Sequence, residues 1–354
     1  GNPEYSLHRV SWLSGYAESL LRAVGSTDEY DHFKMAEAGR YLAGITKAVS
    51  RRHLGIAQKL LSAVKTDAPL THVTNGQHRG YFQHPDFRDT ATTSELERLK
   101  RAHVGWFAEE VRRWTGGRCW SEREEDGDAF TVGWCSRFAA YKRPGLLRAD
   151  RAWLIQFLRD QHARLFIAGK PHPDDDTMIR EWNDWYALSQ EEPRIAVVPG
   201  YELEMMRATK RGLHLIVKSP RAPLEACGTW GMGGGMNGTL DLATPDGWYL
   251  ESEPDTWFSF GSNGVSDYDQ DAFDADELRR GLLETYRLFS EDPAAWFNKA
   301  LKAKFEAEKN WNTDRMFRQN INLYEAMLGG RLQASARAVR SRDHHRQHQP
   351  RQGA

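Results

Sequence analysis

The sequence predicts an α/β protein built on a parallel sheet, and three observations carry that expectation. From residue 130 onward, short apolar runs alternate with helix-like segments. Strand, crossover helix, strand, repeated, is the pattern of a parallel sheet with helices on both faces. The first seventy or so residues instead carry apolar residues at three- and four-residue spacing, as in Glu18–Val24 and Met35–Ile45, which reads as helix. Finally, 354 residues with 40% hydrophobic and 27% charged content can bury a sizeable core, and the length gives a prior of about two domains.

Taken in order, the helical opening is followed by a loop at Thr71–His78 and a helix over Glu95–Arg113. Thr115–Asp128 is glycine-rich and then acidic, with Glu122, Glu124, Glu125, Asp126 and Asp128. It reads as a surface linker and a domain boundary. Strands are predicted at Phe130–Trp134, Leu165–Gly169, Ile195–Val198, Leu213–Val217 and Thr239–Leu242, with helices near 144–159, 175–188, 202–211 and 224–236. Residues 273–329 read as helical. The last 24 residues hold six Arg, one Asp and no periodicity, the composition of a disordered basic tail. The expected domains are therefore 1–128, short and read as N-terminally abbreviated, 129–329, and the tail 330–354. The chain begins Gly1-Asn2-Pro3 without Met, so Gly1 is treated as a trimming remnant.

Composition excludes several functions. Lys+Arg 48 against Asp+Glu 49 leaves −1, without the basic footprint of nucleic-acid binders. No apolar run approaches the ~18 residues of a membrane helix, and no secretory pattern opens the chain. Cys119, Cys135 and Cys227 make neither a disulfide framework nor a metal knuckle. A reducing cytoplasm is the expected location, with no nucleic-acid or membrane partner. No metal ligands are predicted, since His344 and His345 fall in the tail. The 13 Trp suit sugar rings, although most Trp simply fill cores.

In parallel sheets of this kind ligands sit outside the C-terminal strand ends, so two segments stand out. In Cys135–Pro144, Arg137, Lys142 and Arg143 set three cations between a strand end and a helix start. A forked guanidinium, an ammonium and a helix dipole suit a phosphate or diphosphate; a solvated basic loop is the plain alternative. In Pro223–Gly238 a carboxylate, Glu225, and six glycines follow the fourth strand. Such a glutamate more often accepts sugar hydroxyls than acts as a base, and the glycines expose backbone N–H donors; a flexible turn is the plain alternative.

Together Thr131–Arg143, Ile167–Pro173 and Ser219–Thr229, with Asp246-Gly247-Trp248 and Thr71–Gly76, resemble the glycogen/starch (α-glucan) phosphorylases in their short bacterial form. The resemblance implies a GT-B architecture, two Rossmann-like domains facing a central cleft. By position it implies that Arg137 and Lys142 bind phosphate, that Tyr141 and Glu225 contact the sugar's hydroxyls, and that Cys227, Gly228 and Thr229 form the loop beneath. Gly169, followed by Lys170, and Tyr201 fall at strand ends facing the cofactor pocket. His8, within Tyr5–Val10, matches the histidine that steadies the sugar from the N-terminal half. Phosphorylases are often dimers, so a homodimer is expected on the same ground.

One departure decides the expected chemistry. In the family a lysine eight residues beyond the glutamate forms the Schiff base with pyridoxal phosphate. Here that position is Gly233, and no Lys occurs between Lys218 and Lys299. Only a primary amine makes the imine, so pyridoxal phosphate is predicted absent. In related nucleotide-sugar-dependent retaining enzymes the same slot carries a ribose-binding Glu. A glycine leaves space, so a nucleoside diphosphate is expected there, its phosphates on Arg137 and Lys142 and its ribose held by backbone or Tyr201.

The expected activity is thus a retaining, pyridoxal-phosphate-independent glycosyltransferase. It passes a sugar from a nucleotide-diphosphate donor to a small-molecule acceptor, in a pathway such as aminocyclitol or antibiotic biosynthesis. The catalytic set is Arg137, Lys142, Glu225 and His8. The alternatives are a catalytically degenerate homologue that binds carbohydrate and a cofactor-free α-glucan phosphorylase. Asp174–Asp176 and Glu122–Asp128 could favour a cationic acceptor, but a solvated helix cap and a linker are the preferred readings.

Overall fold

A computed structural model describes residues 5–121, 126–200, 202–262 and 270–329. They form two compact units, one of residues 5–48, 54–73 and 316–329, the other of residues 49–53 and 74–315. The first contains α1 (Leu7–Ser14), α2 (Glu18–Val24), α3 (Met35–Leu42), most of α4 (Arg51–Leu60) and a parallel pair, β1 (Thr46–Ala48) and β2 (Leu70–His72). Ser6 caps α1 by accepting the Arg9 N–H at 3.2 Å. A full Rossmann-like domain is expected from the resemblance. The described residues supply only two three-residue strands, because the rest of this stretch follows the helical period. The buried apolar cluster is small: Leu7, Leu21, Phe33 and Ala38.

The second unit contains α5 (Arg79–Phe82), α6 (Thr93–Thr115), β3 (Thr131–Cys135), α7 (Arg151–Asp160), β4 (Arg164–Gly169), α8 (Asp176–Glu191), β5 (Ile195–Pro199), α9 (Leu203–Gly212), β6 (Leu215–Lys218), α10 (Trp230–Gly235), β7 (Leu240–Ala243), β8 (Phe258–Ser259), α11 (Gln270–Glu291) and α12 (Pro293–Asn310). All six strands are parallel, in the order β5-β4-β3-β6-β7-β8. Every residue of β3 and β4 is buried, as a sheet covered on both faces requires. The strand order runs outward from β3 in one direction and from β6 in the other. This doubly wound topology places a ligand crevice between the two inner strands at their C-terminal ends.

α6 explains why the boundary expected at 128/129 falls inside this unit. Leu96, Leu99, His103, Val104, Phe107 and Val111 are buried at three- and four-residue spacing, one face of a helix. Thr92 caps the start by accepting the Glu95 N–H at 3.3 Å, and Gly116 takes φ +63° at the end. Phe107 meets Phe166 of β4 at 5.1 Å between ring centroids, so the helix covers the sheet.

The expected linker is likewise anchored where it is described. Trp120 is 2% exposed, and its indole N–H donates to the Arg194 carbonyl at 3.0 Å. Asp126 accepts from Arg164 Nη1 at 2.7 Å and pairs with Arg112. Glu122, Glu124, Glu125 and the tail 330–354 lie outside the described residues.

The predicted strands match β3 to β7 within two residues. The helix expected near 224–236 forms only from Trp230, since Pro223 and Gly228 lie in the loop before it. The helix expected near 144–159 divides into a 3-10 turn, Pro144–Arg148, and α7, which Asp150 caps by accepting the Trp153 N–H at 3.0 Å. Asp175 caps α8 in the same way, the preferred reading of the acidic triplet.

Candidate functional site

A cavity of about 300 Å³ opens between the C-terminal ends of β3 and β6, where the strand order predicts it. Ser136 and Arg137 enter from the β3 exit, and Lys218 and Ser219 from β6. The loop before α10 supplies Glu225, Gly228 and Thr229.

Gly169 shapes this loop. A Cβ on Gly169 would lie 1.9 Å from the Ser136 carbonyl oxygen, so only glycine lets the β3 exit cross the end of β4. Neither Gly169 nor the exposed Lys170 is among the cavity-lining residues, and Tyr201 lies outside the described residues.

The three predicted cations have separate fates. Arg137 is exposed, lines the cavity and has no ion-pair partner among the described residues. Lys142 lines it too, but its ammonium is paired with the Glu225 carboxylate and stands 5.0 Å over the Tyr141 ring. Both partners are mostly buried, at 15% and 12% side-chain exposure. Tyr141 itself borders the cavity.

Arg143 corrects the sequence reading. It turns away from the cavity and is consumed by structure. Its guanidinium donates to the Ser219 carbonyl at 2.8 Å, the Pro220 carbonyl at 3.1 Å, Asp274 at 2.7 Å and Asp271 at 2.9 Å. Four of its five N–H donors are thus engaged within the protein, and its charge is balanced by two aspartates rather than held for a ligand.

Glu225 is placed by its neighbours. Its backbone N–H donates to buried Asp246 at 2.8 Å, as does that of Gly247 at 2.8 Å. Burial raises the Asp246 pKa. Thr229 Oγ1 accepts from Gln77 Nε2 at 2.9 Å. Cys227 packs on the cluster of Met232, Trp248 and Trp311 rather than lining the cavity, and burial pushes its thiol up to about 12. His8 belongs to the first unit, where it is 85% exposed with Nδ1 at 3.3 Å from Glu18.

The structure adds groups that sequence reasoning passes over. Lys218 Nζ donates to the Cys135 carbonyl at 2.6 Å and Ser136 Oγ at 3.3 Å. Burial, helped by Lys142, lowers its pKa to about 8. Burial also raises Asp241 to about 7, against the pull of Lys218 and of the Tyr249 hydroxyl, which donates to it at 3.0 Å. Gln77 Oε1 is buried without a hydrogen-bond partner among the described residues, an acceptor left open beside the cavity. Lys218 closes an apolar run at a strand end and could have been picked out by that position. Gln77 carries no sequence signal.

Gly233 is buried in α10. A Cβ there would lie 2.7 Å from Gln77 Oε1 and 2.9 Å from Lys210 Nζ. Lys210 is fully buried, donates to the Trp230 carbonyl at 2.6 Å and stands 4.5 Å over the Trp230 ring. Burial pushes its amine well below the usual lysine range. The space expected beside residue 233 is therefore taken by the ends of the Gln77 and Lys210 side chains, which corrects the expectation that a nucleoside lies there, and Gly233 itself offers no amine to tether pyridoxal phosphate.

Away from this cavity, His84, Asp86 and His103 converge, a cluster the sequence reading does not anticipate.

No protein-family model matches the chain. It is 30% identical over 278 residues to an uncharacterized protein of Methanocaldococcus jannaschii, covering 77% of this chain and 51% of that one. It is 30% identical over 323 residues to a glycogen phosphorylase of Mycobacterium bovis, covering 79% and 37%. It is 25% identical over 361 residues to a maltodextrin phosphorylase of Thermococcus litoralis, covering 89% and 43%. The chain thus spans about half or less of the length of these curated relatives.

Proposed function

The chain is a divergent relative of the glycogen and maltodextrin phosphorylases, and on that footing we propose that it transfers a sugar from a phosphate-linked donor without pyridoxal phosphate. A nucleoside diphosphate sugar is the donor class, and a small hydroxyl-bearing molecule is the acceptor. The observation that carries this reading is Arg137, without an ion-pair partner among the described residues, beside the Lys142–Glu225 pair at the crevice of a doubly wound sheet. Cations there act on a phosphate, and the carboxylate accepts sugar hydroxyls. The space beside Gly233 is taken by Gln77 and Lys210, so the nucleoside expected there has to lie elsewhere in the cavity, and the reading without pyridoxal phosphate rests on Gly233 itself, which offers no amine.

In this mechanism the bond between the anomeric carbon and the leaving phosphate oxygen breaks as negative charge grows on that oxygen. Arg137, Lys142 and Lys218 stabilise the charge, and such preorganised electrostatics is usually the largest catalytic contribution. The acceptor oxygen bonds to the same face of the anomeric carbon, and its proton passes to the departing phosphate. Configuration is retained without an enzyme base.

A second reading, a carbohydrate-binding homologue without turnover, is favoured by the closed Lys142–Glu225 pair, which neutralises two of the groups the reaction needs. Equilibrium binding and product analysis separate the readings. Saturable binding of a nucleoside diphosphate or its sugar, with transfer to an alcohol, supports the first. Carbohydrate binding without turnover supports the second. A visible absorbance band with pyridoxal phosphate that borohydride fixes to the polypeptide overturns the cofactor-free proposal.

A further inference from the structure

His84, Asp86 and His103 come from two elements of the second unit. His84 and Asp86 flank Pro85 at the 3-10 turn Pro85–Phe87, and His103 lies in the middle of α6. Each is set by its surroundings. The His84 backbone N–H donates to Asn237 Oδ1 at 2.8 Å. The His103 ring packs on Phe87 at 4.9 Å and on His84 at 4.7 Å between centroids. Asp86 Oδ2 stands 3.0 Å from His103 Nε2 and 3.5 Å from His84 Nδ1, and all three ligand atoms lie within 4.8 Å of one another.

Tetrahedral coordination with bonds of about 2.0–2.1 Å separates neighbouring ligand atoms by about 3.3 Å. Two edges of the triangle already match that spacing, and the third requires the half-buried His84 ring to swing, giving up the 3.4 Å bond that its Nδ1 accepts from the Asp86 backbone N–H. His84 also borders a cavity of about 490 Å³, so a fourth position opens towards it. This cavity shares no lining residue with the one at the β3–β6 crevice.

We infer that His84, Asp86 and His103 form a binding site for a divalent transition cation of the zinc class. Two imidazoles and one carboxylate are the donor set of open zinc sites and of related iron(II) sites. Arg207 and Arg211 act electrostatically on His84, held over the Tyr81 and Trp106 rings. Their charge disfavours Mg2+ and Ca2+, which depend on oxygen ligands and net attraction. A borderline metal gains its bonding from the imidazole nitrogens instead.

Titration of the full chain with Co2+, read by visible absorption, tests the site. The expected result is one Co2+ per chain with the intense bands of four-coordinate cobalt, abolished by equimolar Zn2+ and untouched by excess Mg2+. A variant carrying His344→Ala, His345→Ala and His348→Ala retains the bands. His84→Ala and Asp86→Asn, both at half-buried or exposed positions, weaken binding by more than the roughly 10–100-fold lost when only an outer-shell partner is removed. Absence of bands in the unaltered protein overturns the inference. So do bands that survive His84→Ala and Asp86→Asn, or that vanish with the tail histidines.

Discussion

Arg137 lines the crevice, is exposed and has no ion-pair partner among the described residues. Arg137→Ala should therefore lower turnover by about one or more powers of ten, the scale of losing one preorganised donor, with an unchanged thermal melting curve. Lys218 behaves differently because burial lowers its pKa to about 8. Lys142 pushes in the same direction, while Cys135, Asp241 and Glu225 oppose it. A donor phosphate needs the protonated amine, so anion affinity should fall as pH rises through about 8, and Lys218→Met should remove that step from a binding-versus-pH curve. For folding, the unfolded chain holds the Lys218 proton up to the ordinary value of 10.5. Its contribution to stability is thus a deficit below about 8, relieved as pH climbs towards 10.5. Gly233 tests the packing argument. Gly233→Ala should cost about 1–3 kcal/mol by overpacking against Lys210 and Gln77, measured by denaturant unfolding. Arg137 and Glu225 were legible because each stands at a strand end or in a glycine-rich loop. Lys210 was not, because a lysine on a helix ordinarily faces water and nothing local announces its burial.

Elements are joined by a few buried polar groups. Arg143 fastens the exit of β6 to α11, and its partner Asp274 is fully buried. Arg143→Met leaves that carboxylate uncompensated and should destabilise the protein by about 3–5 kcal/mol. Adding Asp274→Leu should restore much of the loss in the same urea titration, which a purely local role for Arg143 would not allow. The sheet was readable because strands buried on both faces are near-continuous apolar runs, as Leu165–Ala168 shows. α6 was readable from its period and from Thr92 and Glu95. What failed was the assignment of Thr115–Asp128 to a linker. Its glycines and acids look solvated, yet Trp120 and Asp126 are held by Arg194, Arg112 and Arg164, all distant in sequence or on another element.

On the scale of the whole molecule, the two units differ in how much core they own. The first rests on a cluster of Leu7, Leu21, Phe33 and Ala38 and leaves Trp12 77% and Leu42 68% exposed. The sheet of the second is buried on both faces. Native-state hydrogen exchange should therefore be faster across α1–α3 than across β3–β7; equal protection in the two would contradict this difference. The crevice followed from strand order alone, while the partition of the chain did not, because α6 shares the helical pattern of the first unit and the packing of the second. The Lys142–Glu225 contact has a final consequence for selectivity. Under the proposed function it is a latch whose two halves answer to different chemistries, an anion for the ammonium and hydroxyls for the carboxylate. Free phosphate or free sugar releases one half and strands the other, so each is a poor guest. On the proposed function, a molecule that joins the two compensates both halves at once, and the site would discriminate by demanding the covalent link that the reaction breaks.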